Sequence, residues 1–253
     1  MFNLGFWVIV KREIKRFLFL YKQTLLPSVV SSALYIIVFG AAMGSRIGDI
    51  KGVSYVHFMI PGLVMMNIIN PAYQNSSSSI MQAKFLRFIE DILITPLSGL
   101  EISLSYIIGG TVRGVLNGIL VLILGFFLTE FQVENWLLTL FYLFTVSWAF
   151  AGAGVIVGIY AKSWDSIMVL TNFFLVPLTF LGGVFYSIEM LPDFWRNISM
   201  VNPLYWMING LRYATLGIAD TSHTLSLGIS VVFAIFFSTL ASYMFSKGYR
   251  IKT

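Results

Sequence analysis

One charge falls inside a long apolar run: Arg113, in Gly109-Gly110-Thr111-Val112-Arg113-Gly114. A charge at mid-membrane costs several kcal/mol unless it is paired or wetted, so it marks a functional position by default. It either ties helices together or contacts a bound group, and no acidic residue sits at matching depth in another apolar run. The partners available to it are backbone carbonyls, Asn67, Asn70, Asn172 or a water-filled cavity. Asn67, Asn70 and Gln74 recur at three- and four-residue spacing, which gives one helix a polar face able to line a path or bond to a neighbour.

Other chemistries are excluded by what the residues lack. There is no Gly-x-x-x-x-Gly-Lys-Ser/Thr loop, so the chain does not bind ATP by that means. Gly152, Gly154 and Gly158 lie inside an apolar run with no preceding strand, so they read as close helix packing. There is no His-Glu-x-x-His; His57 and His223 stand alone, and cysteine is absent. Ser187 follows Gly182-Gly183 but has no histidine partner, which argues against a nucleophile. Asp and Glu are confined to loops and ends, which argues against self-sufficient proton-coupled transport.

The elements that must position these residues are membrane helices. Hydrophobic residues make up 58% and charged residues 11% of the 253, against about 25% charged in a soluble domain. A span needs about 20 mostly apolar residues. Six runs qualify, at 26–45, 56–75, 102–128, 137–160, 167–186 and 225–246. The expected fold is an all-α polytopic membrane protein, a single transmembrane domain over 1–253. Residues 3–22 mix Lys11, Arg12, Lys15, Arg16 and Lys22 with aromatic and aliphatic residues at helical spacing, as in an amphipathic helix lying on anionic head groups. Lysine and arginine placement sets the orientation. With both termini cytoplasmic, the inner segments hold Lys11, Arg12, Lys15, Arg16, Lys22, Lys84, Arg87, Lys162, Lys247, Arg250 and Lys252, and the outer ones only Arg46, Lys51, Arg196 and Arg212.

Two connecting segments are long. The inner one, 80–95, reads as a short helix started by Ser76–Ser79 and stopped by Thr95-Pro96. Phe85, Phe88, Ile89, Ile92 and Leu93 share a stripe beside Lys84, Arg87, Glu90 and Asp91, which suits either a groove on a partner or the membrane surface. The outer one, 187–224, holds two helix starts, at Pro192 and at Asn202-Pro203, with Trp195, Tyr205, Trp206 and Tyr213 suited to a membrane–water boundary. It reads as a pair of short re-entrant helices over 191–216, and Arg196 and Arg212 there either touch a substrate or anchor at the head groups.

Leu178-Thr179-Phe180-Leu181-Gly182-Gly183-Val184-Phe185-Tyr186-Ser187, Leu191-Pro192-Asp193-Phe194-Trp195, Asn202-Pro203-Leu204 and Gly210-Leu211-Arg212-Tyr213 resemble the membrane subunit of the type-2 ABC exporters. Phe58-Met59-Ile60-Pro61-Gly62-Leu63, Ala83-Lys84-Phe85 through Ile94-Thr95-Pro96-Leu97, and Arg113-Gly114 extend the likeness over essentially the whole chain, nearest the YadH-like permeases of the bacterial inner membrane. The resemblance implies a homodimer with two copies of a separate ATPase subunit, membrane lipid around it and no nucleic acid. ATP and Mg would sit on the ATPase, with no cofactor in this chain. It makes 80–95 a coupling helix through Lys84, Phe85, Arg87, Phe88, Glu90, Asp91 and Ile92. It makes Gly182, Gly183, Trp195, Arg196, Tyr205 and Arg212 an outer gate, with Asn67, Asn70, Arg113 and Asn172 as the polar core of the path. Glycan, lipid-linked and hydrophobic drug-like substrates all fit, and the chain would be no enzyme. The residues also leave open a lipid-acting enzyme with Arg113 on a phosphate, or a non-transporting scaffold or channel.

Overall fold

A computed structural model describes residues 4–248. Asn3 at the start of the expected interface helix, and Arg250 and Lys252 among the expected cytoplasmic charges, lie outside the described residues. The chain forms α1 (Leu4–Phe19), α2 (Tyr21–Thr24), α3 (Leu26–Ile47), a hairpin of β1 (Asp49–Ile50) and β2 (Val53–Ser54), α4 (Tyr55–Phe85), α5 (Ile89–Leu93), α6 (Gly99–Thr129), α7 (Trp136–Tyr160) and α8 (Trp164–Leu170). A π-helical segment (Thr171–Leu175) joins α8 to α9 (Val176–Leu181). A 3-10 turn (Ile188–Met190), α10 (Asp193–Val201), α11 (Pro203–Leu216) and α12 (His223–Lys247) complete it.

Helix starts follow local chemistry. Ser98 and Glu101 form a reciprocal capping box on α6, while Asn135, Ser163 and Asn202 cap α7, α8 and α11. Pro203 is the first residue of α11, as its fixed φ favours. Pro192 is not a first helical residue: it precedes α10, which begins at Asp193.

Five stretches are long and apolar enough to cross a membrane: Tyr21–Gly44, Gly99–Thr129, Trp136–Tyr160, Trp164–Leu181 and His223–Lys247. The helix over the remaining expected span, α4, is longer than a span needs but too polar to qualify with them, punctuated by Asn67, Asn70, Gln74, Asn75 and four serines. It is nonetheless the centre of the fold. Phe58, Met59, Ile60, Leu63, Val64, Met65, Ile68 and Ile69 are fully buried, and α6 and α7 enclose it, backed by α12. A polar helix of this kind holds its place by being shielded from lipid. It runs through Pro61 and Pro71 without a break.

Ser76–Ser79 do not start a helix; they lie within α4. Ser77 Oγ donates to the Tyr73 carbonyl at 2.8 Å and Ser76 Oγ to the Tyr106 carbonyl of α6 at 3.2 Å, so the hydroxyls are satisfied without interrupting the backbone. The expected helix over 80–95 is therefore two pieces: the last turns of α4 and the five-residue α5. Between them Arg87 takes a left-handed φ of 61°, which breaks the helix. The glycines of α7 do pack closely. A Cβ on Gly154 would strike the Tyr73 carbonyl of α4, and one on Gly158 would strike Ser77 and Ile80.

Candidate functional site

The polar residues expected in the membrane converge on Arg113. One recess of about 290 Å³ is lined by Gln23, Ser31, Tyr35, Asn67, Asn70 and Arg113, between α3, α4 and α6. A second, of about 270 Å³, is lined by Gln74, Ser78, Arg113, Trp164, Thr171 and Asn172. Arg113 thus stands on the wall shared by both, and Asn172 reaches the second through the π-helical segment, a kind of bulge common at functional positions. Asn67 Nδ2 donates to Ser32 Oγ of α3 at 2.9 Å and to the Leu63 carbonyl at 2.8 Å, so it both bonds a neighbouring helix and faces the recess. Asn70 Nδ2 returns to the Met66 carbonyl at 3.4 Å.

Below Arg113, towards the α4–α6 turn, α1 carries a charge cluster. Glu13 is fully buried against Gly109. Its Oε1 accepts from Arg12 at 2.8 Å and its Oε2 lies 3.4 Å from Arg16. Arg12 also donates to the Tyr106 hydroxyl at 3.2 Å and lies 5.3 Å from the centre of the Phe88 ring. Arg16 donates to the Asn75 carbonyl at 2.7 Å and to Ser78 Oγ at 3.4 Å. Sequence reasoning missed Glu13, because one acid inside a basic amphipathic pattern carries no periodic signal. α1 does not simply rest on a surface: Phe6, Ile9, Val10 and Phe17 are buried, and the helix packs along α6.

The α4–α6 turn sorts the expected coupling residues into two groups. Phe85, Arg87, Glu90 and Asp91 are exposed. Lys84 turns inward, and its Nζ donates to the carbonyls of Ile159 at 2.8 Å and Ala161 at 2.7 Å at the end of α7. That position suits a cation, because the last carbonyls of a helix lack partners. Ile92 is buried and Phe88 half-buried beneath Arg12. Leu86 and Ile94, absent from the sequence-derived set, are exposed, as is Phe85. The turn thus exposes the apolar Phe85, Leu86 and Ile94 together with the charged Arg87, Glu90 and Asp91.

At the other end of α4 lies the cap formed by α10, α11 and the loops that flank them. Arg212 does not anchor at a head group. It is buried, donates to the Gly183 carbonyl at 2.7 Å, stacks 3.9 Å from the centre of the Phe58 ring and pairs with Asp220 at 3.7 Å. Asp220 also accepts from Ser187 at 2.8 Å and from the Ile188 amide at 3.3 Å, and it pairs with Lys51 at 2.9 Å. Lys51 sits at the tip of the β1–β2 hairpin with Gly52, both at positive φ as a tight two-residue turn requires, and bonds Glu189 at 3.0 Å as well. Burial pushes the Asp220 carboxyl up, but Arg212, Lys51 and Ser187 outweigh it and hold the group below its ordinary value. Gly183, at a φ of 80°, makes the turn that presents its carbonyl to Arg212 and follows Gly182. Tyr205 is buried with its hydroxyl 2.9 Å from Thr221 Oγ1. Trp195 is exposed with Phe194 and Val201 along α10, and Arg196 is half-buried. The expected gate residues therefore divide into a locked core (Gly183, Tyr205, Arg212) and an exposed apolar face around Trp195.

Comparison with known proteins identifies the family. Residues 5–216 match the ABC-2 type transporter family. The chain is 41% identical over 252 residues to the inner membrane transport permease YadH of Escherichia coli K12, covering 98% of each chain. It is 26% identical over 223 residues to nodulation protein J of Rhizobium leguminosarum bv. trifolii, covering 85% of this chain and 84% of that one. It is 24% identical over 200 residues to nodulation protein J of Sinorhizobium fredii, covering 78% and 75%. The chain therefore belongs to the ABC-2 type transporter family, as a multi-pass permease subunit of the inner membrane.

Proposed function

We propose that this permease subunit forms a homodimer with six spans per copy, including α4, and exports its substrate by alternating access, driven by two copies of a separate ATPase chain that carries ATP and Mg. Both termini and the α4–α6 turn face the cytoplasm, and the α10–α11 cap faces outward over the path. Substrates in keeping with this reading are glycans, lipid-linked or hydrophobic molecules.

The observation that carries the reading is the length of α4 and α6. Each has 31 residues and is therefore roughly 46 Å long, against a hydrocarbon layer of about 30 Å. On this reading two helices that long, joined by residues 86–98, carry the turn beyond the lipid, where the exposed Phe85, Leu86 and Ile94 are open to a soluble partner. A soluble partner that covers these side chains receives a direct mechanical line to α4, the buried axis of the fold. The test is co-expression with a candidate ABC ATPase subunit from the same genome. The expected result is a stable complex and ATP hydrolysis that depends on the permease; an ATPase that neither co-purifies nor responds would overturn the reading.

A further inference from the structure

An arginine set within the spans is normally matched by a carboxylate, by carbonyls or by water. Arg113 is matched by neither of the first two. Among the described residues it is in no ion pair, its guanidinium makes no hydrogen bond, and its Nε is buried without a partner. Arg16, which bonds Ser78 on the same wall, adds a charge of the same sign nearby. Glu13, one helical turn away beside Gly109, is already taken by Arg12 and Arg16.

A second copy of the chain does not supply the missing anion. A two-fold axis along the membrane normal, the usual symmetry of such dimers, keeps every residue at its own depth. The other copy therefore brings no acid to the level of Arg113 that this copy lacks. The walls around Arg113 instead offer neutral groups: Asn67, Asn70, Gln74, Ser78 and Asn172. Such a setting favours an anion over a cation, and the amides can hydrogen-bond the rest of a polar head group.

The cations also continue downward. Ser78, which accepts from Arg16, lines the recess of Arg113. Arg16 in turn lines a wide groove of about 830 Å³ with Lys11, Arg12 and Lys15, four cations against the single acid Glu13. These extend a net positive charge from the exposed side of α1 towards the recess of Arg113.

We infer that Arg113 is the anion-binding residue of a polar recess that takes the oxyanion head group, phosphate-like in its chemistry, of an amphiphilic substrate gathered over Lys11, Arg12, Lys15 and Arg16. The guanidinium fork suits bidentate contact with such a group. The helices that line the two recesses, α3 on one side and α8 with its π-helical segment on the other, also carry exposed apolar side chains (Val30, Leu34, Ile37; Met168, Phe173, Phe174), which suit acyl chains. This assignment deepens the export reading, since it names the substrate class, but the binding it asserts is measurable without any ATPase.

The test uses the full-length protein in a neutral maltoside detergent and follows its thermal unfolding midpoint. The probes are dodecyl phosphate, dodecyl trimethylammonium, additional dodecyl maltoside and inorganic phosphate. Dodecyl phosphate is expected to raise the midpoint of the wild type, while the cationic and neutral amphiphiles do not. Inorganic phosphate is expected to give a much smaller rise at the same concentration. The rise is expected to vanish in Arg113→Gln and to survive in part in Arg113→Lys. Should Arg113→Gln fail to fold, Asn172→Asp serves: a carboxylate built into the recess is expected to satisfy the guanidinium and abolish the response. An equal rise in Arg113→Gln or in Asn172→Asp would overturn the assignment of the site. An equal rise with inorganic phosphate alone would overturn the assignment to an amphiphile. Loss of anion selectivity with an intact, stimulated ATPase complex would sink this inference alone; anion selectivity with no ATPase response would sink the export reading alone.

Discussion

Replacing Asp220 by alanine is expected to cost about 3–5 kcal/mol of stability in the cap, the scale for breaking a buried ion pair and leaving one charge uncompensated. The asymmetry of the site sharpens this expectation. Asp220 serves two cations, Lys51 and Arg212, and also takes bonds from Ser187 and the Ile188 amide. Arg212 has no other carboxylate within reach among the described residues. Arg212→Met, which keeps the apolar stem over Phe58, leaves Asp220 still paired with Lys51 and is expected to cost clearly less than Asp220→Ala. Limited proteolysis of the 182–222 region and unfolding in mild detergent measure both. Equal costs would mean that Lys51 contributes nothing to the lock.

The same carboxylate gives the cap a pH dependence. Its pKa in the folded protein lies below the ordinary carboxylate range. Its contribution is therefore fully present above the unfolded value and is lost as pH falls through the depressed one. The cap of the wild type is expected to loosen in strong acid, and that part of the acid sensitivity is expected to be missing in Asp220→Asn. A variant with an unchanged acid profile would contradict the assignment of the effect to this group.

The second large effect lies at the opposite end of α4. Phe85→Asp combined with Leu86→Asp is expected to weaken ATPase binding by about 2 kcal/mol or more, the scale of an interface hot spot, which is roughly 30-fold. Both side chains are exposed, at 70% and 57%, so the permease itself is expected to keep its fold and insert normally. Phe88→Asp makes a poorer test, because Phe88 lies beneath Arg12 and its loss would disturb α1 as well. Pull-down of the ATPase with the double variant measures the effect; unaltered binding would mean that these side chains face something else.

The sequence exposes the membrane helices because hydropathy is a property of composition and survives any packing. It singles out Asn67, Asn70 and Arg113 for the same reason: polar groups within apolar runs stand out, and the structure brings the three to one recess. It misplaces the inner helix because a serine run suggests a cap. The hydroxyls instead bond within α4 and to α6, and the real break falls at Leu86–Phe88. That break changes which residues point outward, which is why Lys84 and Ile92 turn inward while Leu86 and Ile94 are exposed. The Arg212–Asp220–Lys51 lock is illegible in sequence, since Lys51 comes from a hairpin 169 residues away and no local spacing announces it. An arginine among aromatics suggests head-group anchoring as well as substrate contact; the tertiary contacts with Phe58 and Gly183 show that Arg212 is buried instead.

In the proposed export machine the two ends of α4 have opposite neighbours, the ATPase at the α4–α6 turn and the exterior at the α10–α11 cap. The chain contains no cysteine, so single cysteines report without background. Leu86→Cys and Val201→Cys, at 57% and 84% exposure, mark the two ends. In membranes bearing the assembled complex, a short bifunctional maleimide is expected to cross-link Leu86→Cys to an ATPase carrying an engineered surface cysteine, and a membrane-impermeant maleimide added from outside is expected to label Val201→Cys alone. Labelling of Leu86→Cys from outside, or cross-linking of Val201→Cys to the ATPase, would contradict the account.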